Sequence, residues 1–281
     1  MYYSAIGLLA VLILLIENQD VMLNQEGAFE KPAWRVYRWF LFAVLAYYIL
    51  DILWGIIEGM KLPRLLFADT TVYFIAMAVG VLLWVKYTVV YLDEESSFGK
   101  GLILAGRVLA GLITVLAVVN IFTPVLFTID SRCVYSALPL RHIMLACQIL
   151  LLLLIAIYAV VSMFRSRAEK RGKYRTLALF GLLMAVLLFI QIWYPLLPLY
   201  TIAYMLGTCL LHTFVVNEEK AKFKRGLEEA AKDAELKNTI ESLLNNMPGM
   251  TFTKDAETGA YLACNRAFAA VTNHCADSQC L

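Results

Sequence analysis

The chain has 281 residues, of which 61% are apolar and 16% charged, with a net charge of +2. Soluble globular domains average about 45–50% apolar and about 25% charged, so this composition excludes an ordinary soluble domain. No basic stretch interleaved with aromatics is present, which excludes nucleic acid as a partner.

The apolar excess lies in blocks of roughly 18–23 residues, the length that crosses about 30 Å of hydrocarbon at about 1.5 Å per residue. The first block, Tyr2–Ile16, has neither a basic leader nor a small-residue cleavage pattern, so it reads as a first helix rather than a removed signal peptide. Trp39–Ile57, Thr70–Tyr91, Gly101–Phe122 and Ile143–Phe164 follow. The stretch Thr176–Val216 is 41 residues, too long for one span. Pro195 and Pro198 divide it into Thr176–Tyr194 and Leu196–Val216. The expectation is an all-α membrane protein with seven transmembrane helices over residues 1–216.

Orientation follows from the Lys and Arg residues of the loops. Alternate loops hold fourteen, from Lys31, Arg35 and Arg38 through the 165–175 cluster to Lys220–Arg225. The intervening loops hold four: Lys61, Arg64, Arg132 and Arg141. The positive side faces the cytoplasm, which puts the C-terminus inside and the N-terminus outside. Of the six cysteines, only Cys133 falls in an outer loop, so no disulfide framework is expected.

Asn217–Asn246 is polar and rich in Glu, Lys and Ala, all strong helix formers. Phe223, Leu227, Ala230 and Ala234 form one apolar stripe, and Leu236, Ile240, Leu243 and Met247 form a second, out of phase with the first. Stripes this narrow predict a two-stranded coiled coil and hence a homodimer through residues 217–246. A single amphipathic helix lying on the bilayer is the alternative. Beyond Pro248, Met250–Thr253 alternates like a strand and Asp255–Gly259 has turn chemistry. Tyr261–Cys264 reads as a second strand, and Asn265 is a suitable cap for a helix over Arg266–Val271.

The run Leu243–Ala269, LLNNMPGMTFTKDAETGAYLACNRAFA, resembles the beginning of a PAS sensor domain, with Asn265-Arg266-Ala267-Phe268 at the helix start. The resemblance covers about 27 residues. The membrane region resembles, more loosely, the multi-helix sensor regions of bacterial sensor histidine kinases and diguanylate cyclases. Together these imply three parts: a sensor in 1–216, a signalling helix in 217–246 and an incomplete α+β PAS start in 247–281. The resemblance further implies that a PAS domain is cut short here, and residues 250–281 alone are expected to hold little persistent structure. The implied function is the sensory input portion of a two-component system. A diguanylate cyclase sensor, a small membrane transporter and a nonfunctional fragment are the alternatives. No phosphoacceptor His motif, ATP-binding Gly box or cyclase signature occurs, so no catalytic residue is expected. Nor is a cofactor.

Several polar or aromatic residues fall near the outer ends of spans: Trp54 and Glu58, Asn120, His142, Gln191 and Trp193, and Tyr200 and Tyr204. They suggest an outward-opening pocket for an unknown extracellular or membrane stimulus. An interfacial aromatic belt is the alternative. Asp51 lies deeper and reads as a hydrogen-bonded structural carboxyl or a proton- or cation-sensing group, with Gln191 or Asn120 as candidate partners. Lys86 and Arg107 lie near inner ends, where snorkelling to headgroups accounts for them. His274, Cys275, Cys280 and Cys264 have no recognisable metal-site spacing, and no metal is expected. The last span has no Lys to carry a retinal Schiff base, which excludes that class.

Overall fold

The computed structural model describes residues 2–23, 31–92, 96–166, 168–259 and 261–272. The chain divides into two compact units, Met1–Glu219 and Lys220–Leu281.

The first unit is a bundle of α1 (Tyr2–Leu23), α2 (Pro32–Gly59), α3 (Pro63–Leu92), α4 (Ser97–Val119), α5 (Pro139–Arg165), α6 (Ala168–Trp193) and α7 (Leu199–Leu211). A π-helical turn, His212–Val216, follows α7, and α8 (Asn217–Asn246) begins directly after it. Among the described residues, seven helices are long and apolar enough to cross a membrane, the signature of a multi-pass membrane protein. Their outward faces carry Leu12, Ile16, Leu104, Val108, Leu112, Ile157 and Phe189, all exposed. Such a surface suits lipid and not water.

Each apolar block falls mainly on its own helix; α1, α2, α3 and α5 extend beyond their blocks, while α4 ends at Val119 and α7 covers only Leu199–Leu211 of its block. Proline at the first helical position starts α2, α3 and α5, where its missing N–H leaves no hydrogen bond unmade. The break between α6 and α7 spans Tyr194–Pro198. The first helix ends at Leu23 rather than near Ile16. Its polar last turns are retained because Asn18 is fully buried, accepting a hydrogen bond from the Tyr37 hydroxyl at 3.1 Å.

Consecutive helices pack as neighbours, and α1 against α7 closes the ring. Between α2, α3, α6 and α7 runs a column of aromatic rings: Tyr37, Phe40, Trp84, Tyr87, Phe180 and Tyr204 are all fully buried. Trp84 stacks on Phe180 with centroids 3.8 Å apart, and Phe40 meets Trp84, Phe180 and Tyr204 at 5.7, 5.9 and 5.8 Å. Helices in lipid associate by close packing, because lipid tails are as apolar as the side chains. Gly207 supplies that closeness: a Cβ there would strike the Phe180 ring.

Two short strands interrupt the helical pattern between α4 and α5. β1 (Phe127–Ile129) pairs antiparallel with β2 (Tyr135–Ala137) in the register Phe127↔Ala137, Thr128↔Ser136, Ile129↔Tyr135. The Asp130 carboxylate holds the turn, accepting from the N–H groups of Arg132 and Val134, both at 2.8 Å. Cys133, at φ 63°, is buried against Ile57 and Leu66 and is a free thiol.

At the other end of the bundle, three helices converge on one carboxylate. Glu219 accepts from Lys31, just before α2, at 2.5 Å and from Lys173 on α6 at 3.1 Å. Lys173 also reaches Glu218 at 3.6 Å.

The second unit holds most of α8, then β3 (Phe252–Lys254), β4 (Tyr261–Cys264) and α9 (Arg266–Thr272). Of α8, only Leu244 is buried. Leu227, Leu236, Ile240 and Leu243 are all exposed. β3 and β4 pair antiparallel with an irregularity at Thr253/Lys254, and the Asp255 carboxylate caps their turn by accepting from Glu257 and Thr258. The described part of this tail is a hairpin followed by a helix, the order the sequence predicts. Asn265 joins them and is buried. Its Oδ1 accepts from Thr251 at 3.1 Å and Phe268 at 3.0 Å, and its Nδ2 donates to the Gly249 carbonyl at 2.7 Å. One amide thus ties the strand, the preceding turn and the helix start. Phe252, Tyr261 and Phe268 close a ring triangle beside it, with centroids 4.9–5.5 Å apart. His274, Cys275 and Cys280 lie outside the described residues, and no metal-ligand cluster occurs among the described ones.

Candidate functional site

A narrow cleft opens at the hairpin end of the bundle. Helical spacing explains how its walls arise. Asp51 and Trp54 are three residues apart on α2, and Thr70, Tyr73, Phe74 and Met77 share one face of α3. α5 contributes Arg141 and Leu145, four apart, and α6 contributes Gln191. Tyr135 of β2 covers one side, and Pro195 and Leu196 of the α6–α7 turn another.

The hairpin wall hangs on one side chain. Asn120, at the end of α4, is buried. Its Oδ1 accepts from the N–H groups of Val125 and Leu126 at 2.7 Å and of Phe127 at 3.4 Å, while its Nδ2 donates to the Phe127 carbonyl at 3.2 Å. Phe127, thus fixed, stacks on Phe74 and on Tyr135, with centroids at 5.6 and 5.8 Å. Asn120 is a scaffold for the cleft rather than part of its lining.

The polar groups of the cleft are unusual for their burial. Asp51 is 2% exposed and accepts a hydrogen bond from the Thr201 hydroxyl of α7 at 2.7 Å. It stands eight residues before the end of α2, roughly 12 Å along the axis. Its partner is therefore neither Gln191 nor Asn120, although Gln191 lines the same cleft. Trp54 donates from Nε1 to Thr70 Oγ1 at 3.2 Å, which fixes the indole plane. Tyr73 is hydrogen-bonded to Tyr47, hydroxyl to hydroxyl. Gln191 donates to the Leu197 carbonyl at 3.3 Å, while its own Oε1 is buried without a partner among the described residues.

Arg141 is 4% exposed, and its Nη1 is buried without a hydrogen-bond partner. No acidic side chain among the described residues pairs with it. Its charge is felt by Tyr135: burial raises that phenol above its ordinary value, and Arg141 opposes the rise.

The sequence-derived candidates separate into three groups. Trp54 and Gln191 line the cleft. Tyr200 and Tyr204 are fully buried in the aromatic column, where Tyr47 meets them at 5.2 and 5.6 Å. Trp193 is 60% exposed on the outer face of α6 against Phe189, while Glu58 and His142 are half-buried and do not line the cleft. Thr70, Tyr73, Tyr135 and Arg141 are cleft residues that the sequence did not single out. Arg141 was legible only as a loop cation, although Pro139 marks the helix start that carries it inward. No known family model and no curated protein matches the sequence.

Proposed function

We propose that this chain is the sensory input portion of a membrane signal-transduction protein of the sensor-histidine-kinase kind. A seven-helix unit receives a small stimulus in its outward-facing cleft, and α8 carries the response on the cytoplasmic side. The observation that carries this reading is α8 itself. It follows the last span with only a π-helical turn between them, and its apolar residues stand exposed in stripes. Most of a helix's stability in a protein comes from packing its apolar face, and an exposed narrow stripe on α8 obtains such packing by pairing with a second copy. Single π-turns inside α-helices recur at functional sites. A shift of α7 is thereby passed on as a change in the pairing of two α8 helices, and the PAS-like hairpin stands next in line.

Cysteine crosslinking in membranes tests this. Leu227→Cys and Ile240→Cys should give disulfide dimers readily, and Glu228→Cys and Lys237→Cys poorly. Equal yields at all four positions would leave α8 as a monomeric amphipathic helix, and the reading would fail.

A further inference from the structure

We propose that the cleft binds a small zwitterion, a free amino acid of the smallest size class, with its carboxylate on Arg141 and its ammonium toward Asp51. This rests on the sensory reading above and names the chemistry of its stimulus.

Arginine cannot shed its proton in a protein, so burial leaves it charged. A buried charge without a partner is among the most destabilising features a fold can retain. Arg141 is such a group, and it is one of the residues that line the cleft. A planar fork with a free N–H fits a carboxylate, which it grips with two parallel bonds. Gln191, which lines the same cleft, has a buried Oε1 without a partner among the described residues, an acceptor that an N–H donor would satisfy. Asp51 supplies the opposite charge, and the faces of Trp54 and Tyr73 offer an ammonium further attraction. Asp69, the neighbouring carboxylate on α3, is 7% exposed, does not line the cleft and forms no ion pair with Arg141. Asp51 in the same lining disfavours a plain anion and favours a ligand that brings a cation with its carboxylate.

Size sets the class. The cavity is about 50 Å³, and a single water takes about 10–15 Å³. That leaves room for about four or five heavy atoms, enough for glycine or a close relative and too little for a lipid or a peptide.

The test is thermal unfolding of the full chain in nanodiscs with millimolar common amino acids, glycine betaine, acetate and ethylammonium. Glycine should raise Tm, alanine less so, and acetate and ethylammonium far less than glycine. Arg141→Gln should weaken binding ~10-fold or more while leaving the ligand-free Tm equal or higher, because the unpaired charge is gone. That second readout shows the variant to be folded. Asp51→Asn should erase the preference for glycine over acetate. No shift with any amino acid, or an equal shift in Arg141→Gln, would overturn the proposal. So would acetate matching glycine in the unaltered chain. If binding holds while crosslinking at Leu227 shows no dimer, the ligand class stands and the signalling reading falls. Dimers without binding give the reverse.

Discussion

The two ends of the seven-helix bundle treat buried charge in opposite ways. At the tail end, Lys173 is nearly buried and is answered by Glu219, which Lys31 also grips, so the beginnings of α2, α6 and α8 are clamped together. At the hairpin end, Arg141 is more deeply buried and is answered by nothing among the described residues. The same fold supplies a counter-charge at the tail-end joint and, among the described residues, none paired with Arg141 at the hairpin-end cleft, which is the site proposed above for the ligand.

The largest expected effect breaks the joint. Glu219→Ala leaves the nearly buried Lys173 with only the longer 3.6 Å contact to Glu218, and should lower stability by about 3 kcal/mol, since weakening a buried ion pair leaves its cation largely uncompensated. Thermal or denaturant unfolding in detergent reads this out. If the loss is no larger than for an exposed ion pair, the tail end has no clamp and the contrast disappears.

Asn120→Ala should come next, at about 2 kcal/mol, because it withdraws one acceptor from three backbone donors. Amide exchange at Val125 and Leu126 should accelerate, while α3 and α6 stay protected. Unchanged protection there would mean that the hairpin holds itself and that the cleft wall does not depend on Asn120.

A smaller effect is read by pH. Burial alone would raise the Glu219 carboxyl, but its hydrogen bonds from Lys31 and Lys173 and their charges outweigh this and hold it below its ordinary 4.5. A depressed acid contributes stability above the unfolded value and loses it as pH falls through the folded one. Tm should therefore decline as the medium is acidified below pH 4.5, and the part of that decline due to Glu219 should vanish in Glu219→Gln. An identical acid profile in the variant would show that the carboxylate is not engaged. Smallest of all is Lys31→Ala. That side chain is 71% exposed, so its loss should cost less than ~1 kcal/mol.

Six of the seven apolar helices were legible because lipid imposes both a length and a polarity on whatever crosses it, and their blocks meet both; Tyr2–Ile16, at 15 residues, meets only the polarity. The end of α1 was not legible, because Glu17, Asn18 and Asp20 look like a helix exit until Tyr37 is found to bind Asn18. The β1–β2 hairpin escaped because three-residue strands offer too few alternations to register as a pattern, and its anchor is an amide seven residues upstream. In the tail, the strand–turn–strand–helix order was readable from Asp255, Gly259 and Asn265. The several hydrogen bonds of Asn265 were not, since one letter marks a cap but not how many segments it joins. The cleft was half legible. An aromatic or amide near a span's outer end looks alike whether it faces the ring's interior, as Tyr204 does, the cleft, as Gln191 does, or the outside, as Trp193 does. Helical phase alone, without the neighbours' positions, does not separate the three.

The orientation proposed for the cleft, outward, and for α8, cytoplasmic, rests on the fourteen-to-four distribution of basic residues. Reporter fusions address it most directly. A fusion after Arg132, in the hairpin turn, should report the outside, and one after Lys224, in α8, should report the cytoplasm. Cytoplasmic activity at Arg132 would place the cleft on the wrong side of the membrane and contradict the account at its root.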